Sequence, residues 1–301
     1  MSILVVGSAA LDSVETPAGR AEDALGGSAI YFSTAASFFA ESIRMVAVVG
    51  DDFPREHVAF LESRNIDIEG LEQVTGGRTF RWGGRYTDDL NSASTLFTEL
   101  NVYGDFQPRL PQSYRDTPYV FLANINPELQ LNVLEQVNRP KLVVCDTMNL
   151  WINNSRTALM ETLENVDILI LNDTEAQLLT EESNLISAAK KILTYGPSRV
   201  IVKKGEHGAM SLTETTFFSA PAHPLESVCD PTGAGDSFAG GFLGYVASVG
   251  DSSEVTIRQA IMYGTVVASF NVEDFSLNRQ RDLNRAEIDR RYQELRESTR
   301  Y

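Results

Sequence analysis

The sequence predicts an α/β fold, with a mostly parallel central sheet flanked by helices and a small β excursion set into it. Three observations carry this. Short apolar runs at residues 3–7, 43–49, 119–122, 142–146, 168–171 and 200–203 alternate with helix-like stretches such as 28–40, 128–137 and 157–164. A chain of 301 residues with 43% hydrophobic content can bury a large core. One region, 71–100, breaks the alternation: Gly pairs at Gly76–Gly77 and Gly83–Gly84 enclose Thr, Phe, Trp and Tyr, so residues 79–86 and 94–98 read as an antiparallel excursion.

The elements follow in order. Residues 1–12, MSILVVGSAALD, have no basic leading segment and too short an apolar run to span a membrane, so they read as a first buried strand. Ligands of parallel sheets bind beyond the carboxyl ends of the strands, which directs attention to residues that follow the apolar runs. The formal net charge of -16 excludes a nucleic-acid footprint, which needs clustered Lys and Arg. Two cysteines, Cys145 and Cys229, suit a reducing cytosol, and a cytoplasmic protein with no membrane partner is expected. The tail 278–301 carries Ile288, Tyr292 and Leu295 on one helical face and reads as a surface helix.

The most informative run is DPTGAGDSF, residues 230–238. Gly233 and Gly235 allow a tight turn in which successive N–H groups converge on one anion as a helix over 235–248 begins. Asp236 sits in its first turn, where a carboxylate can accept a proton from a hydroxyl attacking a γ-phosphate. An Asp that merely caps the helix is the plainer alternative. DPTGAGDSFAGGF resembles the C-terminal signature of the ribokinase/PfkB family of carbohydrate and nucleoside kinases. The resemblance implies a ribokinase-like three-layer fold and one kinase domain over 1–301, with a discontinuous β lid from about 13–24 and 71–100. It also implies ATP as co-substrate with Mg2+, a monovalent cation as a further candidate, and a small polyhydroxylated acceptor. Asp236 would be the catalytic base, and the amides of Gly233, Ala234 and Gly235 the anion hole.

The same resemblance assigns the rest of the site. Asp12 and the pair Gly26–Gly27 correspond to the acceptor-binding Asp and the lid hinge, and an Asp accepting two O–H bonds selects polyols without needing a charge on them. Tyr31 stands where many members carry an acceptor-binding Asn. An aromatic ring there can stack on a base or a sugar face but cannot replace an amide. Asn172–Glu175, NDTE, resembles the NxxE motif, with Glu175 reaching magnesium through water; a capping box accounts for the same spacing. VKKGEHGA, residues 202–209, resembles the turn in which Gly205 and Gly208 pass under the nucleotide, with Lys203 or Lys204 adding charge. Asn271 corresponds to the border of the adenine pocket, and Asn149 in DTMNLW to a phosphate or acceptor contact. Arg81, Trp82 and Arg85 of the lid could reach substrate; edge-strand charges guarding against aggregation explain them as well. Family lids often pair into homodimers. Two other functions are weaker. A Rossmann dehydrogenase needs G-x-G-x-x-G after the first strand, where only Gly7 stands. A non-catalytic ligand binder on the same scaffold has no reason to keep Asp236, Gly235 and Glu175.

Overall fold

The computed structural model describes residues 1–88, 90 and 92–300. In chain order the strands are β1 Ser2–Val6, β2 Ala10–Thr16, β3 Gly19–Gly26, β4 Ser42–Gly50, β5 Ile66–Val74, β6 Phe80–Tyr86, β7 Ala93–Glu99, β8 Tyr119–Leu122, β9 Leu142–Asp146, β10 Ile168–Asn172, β11 Arg199–Lys203, β12 Ala209–Leu212 and β13 Phe217–Ala220. The helices are α1 Ser28–Ala36, α2 Arg55–Ser63, α3 Pro127–Gln136, α4 Asn149–Asn154, α5 Arg156–Leu163, α6 Asp173–Thr180, α7 Leu185–Leu193, α8 Ala234–Val249, α9 Glu254–Asn271, α10 Asn278–Asp282 and α11 Arg285–Ser298.

Nine strands form the main sheet in the order β13-β12-β11-β10-β9-β8-β1-β4-β5. All neighbours from β11 to β5 run parallel, and only β12 and β13 are antiparallel. Successive residues of β1 serve opposite sides. Ile3 and Val5 pack with α1, α8, α9 and α11, whereas Leu4 and Val6 pack with α3, α5, α6 and α7. Both faces are therefore dry, and helix–sheet–helix layering follows. The tail behaves as its periodicity predicts, with Ile288, Tyr292 and Leu295 buried on α11. Helix α1 stops at Ala36, short of the expected residue 40.

A second sheet has the order β3-β2-β6-β7. Its pairs β2–β3 and β6–β7 are antiparallel, but β2–β6 is parallel, because the chain returns from the main sheet through β5 before entering β6. The expected excursion over 71–100 needs correcting at its start: residues 71–74 complete β5, which pairs with β4 in the main sheet. Their apolar residues extend an existing parallel ladder, which outweighs the nearby glycines. At the other edge every residue of β7 is exposed.

Candidate active site

Four parallel strands, β1, β9, β10 and β11, end on one side of the main sheet, and each delivers polar groups there: Asp12 shortly after β1, Asp146 on β9, Asn172 and Glu175 after β10, and Lys203 on β11. The start of α8 closes the same edge. Gly233 is its N-cap, with φ 75°, and no side chain caps the helix. The N–H groups of Gly233 and Gly235 meet no protein acceptor among the described residues. That of Ala234 donates to the Pro231 carbonyl at 3.1 Å. Of the three amides expected to form an anion hole, those of Gly233 and Gly235 are thus open, and that of Ala234 is engaged in a tight turn over 231–234.

The loop before α8 is braced from behind. Asp230 accepts from the Thr232 N–H at 2.8 Å and from the Ser276 N–H at 3.1 Å. Asn271 is fully buried; its Nδ2 donates to the Thr232 carbonyl at 2.8 Å, and its Oδ1 accepts from Ser237 Oγ at 3.1 Å and Gln280 Nε2 at 2.8 Å. Both ends of that amide are engaged inside the protein. Asn271 therefore positions the loop instead of bordering a nucleotide as expected, because burial obliges its amide to find internal partners.

In front of the loop lies a crowd of carboxylates around one cation. Lys203 Nζ lies 3.2 Å from Asp146 Oδ2, and a methyl group on Gly235 would come within 2.8 Å of the same nitrogen. Glycine at 235 leaves room for the ammonium beside the amides. Burial pulls the Lys203 pKa down, but Asp146, Glu175 and Asp236 together outweigh it and hold it above its ordinary value. Asp236, a half-buried residue, is pushed up to about 8, first by burial of its carboxyl and then by Asp146, with Lys203 opposing. Glu175 is pushed up to about 7, again chiefly by burial. It closes a capping box: its Oε2 accepts from the Asn172 N–H at 2.7 Å, and Asn172 Oδ1 accepts from the Glu175 N–H at 2.7 Å. The second carboxylate oxygen of Glu175 stays available for a water. Among the described residues no group of three or more His, Cys, Asp or Glu is arranged to hold a metal directly.

The acceptor side is built by β2 and α1. Asp12 is buried, and burial pushes its carboxyl up to about 7 despite the Gly27 N–H that it accepts from. Any side chain at Gly26 would overlap the Asp12 carboxylate, and Gly27, with φ 98°, packs against the Ser8 carbonyl. Both glycines are required by close approach. One turn into α1, Tyr31 is 1% exposed, its ring lies against Gly233, and its buried hydroxyl has no hydrogen-bond partner. From the second sheet, the Tyr86 hydroxyl accepts from Thr232 Oγ1 at 3.3 Å.

Asp12, Tyr31, Glu175, Lys203, Gly233, Gly235 and Asp236 are thus brought to one edge. Other expectations fare differently. Gly208, with φ 80°, packs against the Ala220 carbonyl, and Gly205, with φ 53°, opens the short turn between β11 and β12. Asn149 is exposed at the start of α4. Arg81 pairs with Asp23 and Asp52, and the Arg85 Nε with Glu15 at 2.6 Å. These pairs stitch the second sheet to itself and to the residue after β4. Asp146, Asp230, Tyr86 and Thr232 went unassigned from the sequence. Position at a strand's carboxyl end was a usable signal for Asp146; nothing local marks Tyr86.

A family model described as pfkB family carbohydrate kinase matches residues 125–282. The cytidine kinase of Thermococcus kodakarensis is 30% identical over 248 residues, covering 81% of this chain and 87% of the relative. Among solved structures, the Methanocaldococcus jannaschii nucleoside kinase, an archaeal member of the ribokinase family, aligns with a TM-score of 0.78 at 22% identity, covering 97% of this chain and 98% of that one. A putative ribokinase II from E. coli in complex with ATP and Mg2+ aligns with a TM-score of 0.80 at 18% identity, covering 97% and 99%. The fold is ribokinase-like. Among the described residues no helix is long and apolar enough to cross a membrane.

Proposed function

We propose that this chain, which belongs to the pfkB family of carbohydrate kinases, transfers the γ-phosphoryl group of ATP to a hydroxyl of an uncharged nucleoside, with Asp236 as general base. As a family member it is a phosphotransferase with an alcohol acceptor. One observation carries the finer reading: Asp236 stands in the first turn of a helix whose N-terminal amides at Gly233 and Gly235 are open, beside Lys203.

Asp12 accepts from acceptor hydroxyls and orients the one that reacts. Its proton passes to Asp236, its oxygen bonds to the γ-phosphorus, and the bond to the β,γ-bridging oxygen breaks, releasing ADP. A carboxyl held near 8 is a stronger base than an ordinary aspartate, so proton transfer is driven further. The open amides and the Lys203 ammonium take up negative charge on the transferring group, and in-line positioning supplies most of the remaining rate. Bound magnesium would neutralise phosphate charge, held by the phosphates and water with Glu175 behind the water.

A nucleoside is favoured by the cytidine kinase relative. An unphosphorylated acceptor is favoured because Asp12 and Asp230 make the pocket negative while Arg81 and Arg85 are already paired. The test is ADP release with ATP and magnesium across cytidine, uridine, inosine, ribose, fructose, myo-inositol and ribose 5-phosphate. Turnover of a nucleoside well above the others supports the reading. Preference for a hexose or myo-inositol overturns the acceptor class, and no turnover with any acceptor favours a non-catalytic binder.

A further inference from the structure

The loop that carries the two open amides is gripped at two adjacent residues by two tyrosines from different elements. Thr232 is bonded at every polar group: its N–H to Asp230, its carbonyl to Asn271, and its hydroxyl to Tyr86 of β6 at 3.3 Å. Next to it, the Tyr31 ring of α1 occupies the space that a side chain at Gly233 would need. Asp230 and Asn271 belong to the same lobe as the loop. Tyr86 does not; it reaches the amide turn from the second sheet, from which Thr16 also donates to the nearby Cys229 carbonyl at 2.8 Å. The Tyr31 hydroxyl is the unusual group. It is buried without a partner, although the charges of Asp12, Asp230 and Asp236 all act on it, Asp12 the most strongly. Burial and those carboxylates keep its pKa well above the ordinary value, so the group carries its proton and can donate. A buried polar group left unpaired is costly, and one lying among the carboxylates of Asp12, Asp230 and Asp236 gains a partner when an acceptor oxygen is brought beside them.

We infer that Tyr31 and Tyr86 are positioning residues that couple the acceptor pocket to the anion hole: an acceptor hydroxyl held by Asp12 accepts from the Tyr31 hydroxyl, the ring fixes Gly233, and Tyr86 fixes Thr232 from the second sheet. This rests on the kinase reading above. Acceptor binding then steadies the ring that bears on Gly233, while the position of the second sheet is felt one residue earlier in the same turn. Because both contacts act on neighbouring residues of one loop, each depends on the other for its effect.

The test uses the full chain with Tyr31→Phe, Tyr86→Phe and the double variant, each change removing one oxygen. The acceptor is whichever of cytidine, uridine, inosine, ribose, fructose or myo-inositol the wild type turns over fastest. Tyr31→Phe is expected to raise the acceptor KM about 5-fold, leave the ATP KM within 2-fold, and raise the ligand-free melting temperature by about 2 °C, since the orphan hydroxyl is gone. Tyr86→Phe is expected to lower kcat about 5-fold with little change in acceptor KM. Thr232→Val removes the same bond from its other side and should reproduce that loss, with no further loss when combined with Tyr86→Phe. In the Tyr31→Phe, Tyr86→Phe double variant, kcat/KM should fall by clearly less than the product of the single losses. An unchanged acceptor KM in Tyr31→Phe, or a double variant equal to that product, overturns the coupling. A wild type that phosphorylates none of the acceptors overturns the kinase reading itself, and the two failures are told apart by the wild-type control.

Discussion

Replacing Asp236 by Asn keeps the side chain's shape while removing both a base and one negative charge from the cluster of Asp146, Glu175 and Asp12. Activity and stability should respond in opposite directions. Loss of the proton acceptor is expected to cut kcat by about 10²–10⁴ with ATP affinity little changed. For stability, the sign follows from the proton balance. Asp236 has an ordinary value of 3.8 and a folded value of about 8, so the folded state holds the proton more tightly than the unfolded chain. Stability contributed at this site therefore falls as pH rises from about 4 to about 8 and stays at the lower level above. A gap of about 4 pH units corresponds to about 6 kcal/mol at full strength. The residue is half-buried, and screening reduces this to on the order of 1–2 kcal/mol. Asp236→Asn, which cannot titrate, should match the wild type near pH 4 and melt about 3 °C higher at pH 9. The assay pairs ADP release at saturating acceptor with thermal unfolding at both pH values. Turnover within tenfold of wild type, or a melting temperature lowered equally at both pH values, would refute the base and leave a helix cap.

Four further outcomes are expected. Asp12→Ala should lower kcat/KM for the acceptor by about 10- to 150-fold while calorimetric ATP binding holds, because it removes a charge-assisted bond made only to the acceptor; parallel loss of ATP binding would mean that Asp12 merely supports its strand. Since its carboxyl titrates near 7, acceptor kcat/KM in the wild type should rise as pH increases through 7, and a flat profile from pH 6 to 8 would count against it. Glu175→Gln preserves an oxygen for the Asn172 N–H, so the helix cap should survive while the magnesium needed for half-maximal rate increases; an unchanged magnesium dependence would leave only the capping box. Gly233→Ala places a side chain at φ 75° and into the Tyr31 ring, so kcat should drop about 100-fold or more even where circular dichroism shows a folded protein, and a wild-type rate would mean that the amide turn is not used.

The sequence by itself determined the architecture and the nature of the chemistry. Apolar runs such as residues 168–171 and 200–203 are short and alternate with helix-like stretches, which reads as sheltered strands, and DPTGAGD writes a helix start, two glycines and a carboxylate into adjacent positions. Such information is local, and local periodicity and turn chemistry are what a sequence displays directly. Tertiary structure alone decided how distant residues were used. Lys203 and Asp146 meet because β9, β10 and β11 run parallel and end together, though 57 positions separate them. Arg81 pairs with Asp23 and Asp52 and Arg85 with Glu15, and Asn271 is drawn into the core by Ser237 and Gln280. The meeting of Tyr31 with Gly233 and of Tyr86 with Thr232 joins α1 and the second sheet to a turn some 150–200 positions away. Burial forces polar groups to find partners wherever the fold has brought them, and that choice is made in space, where sequence spacing carries no signal.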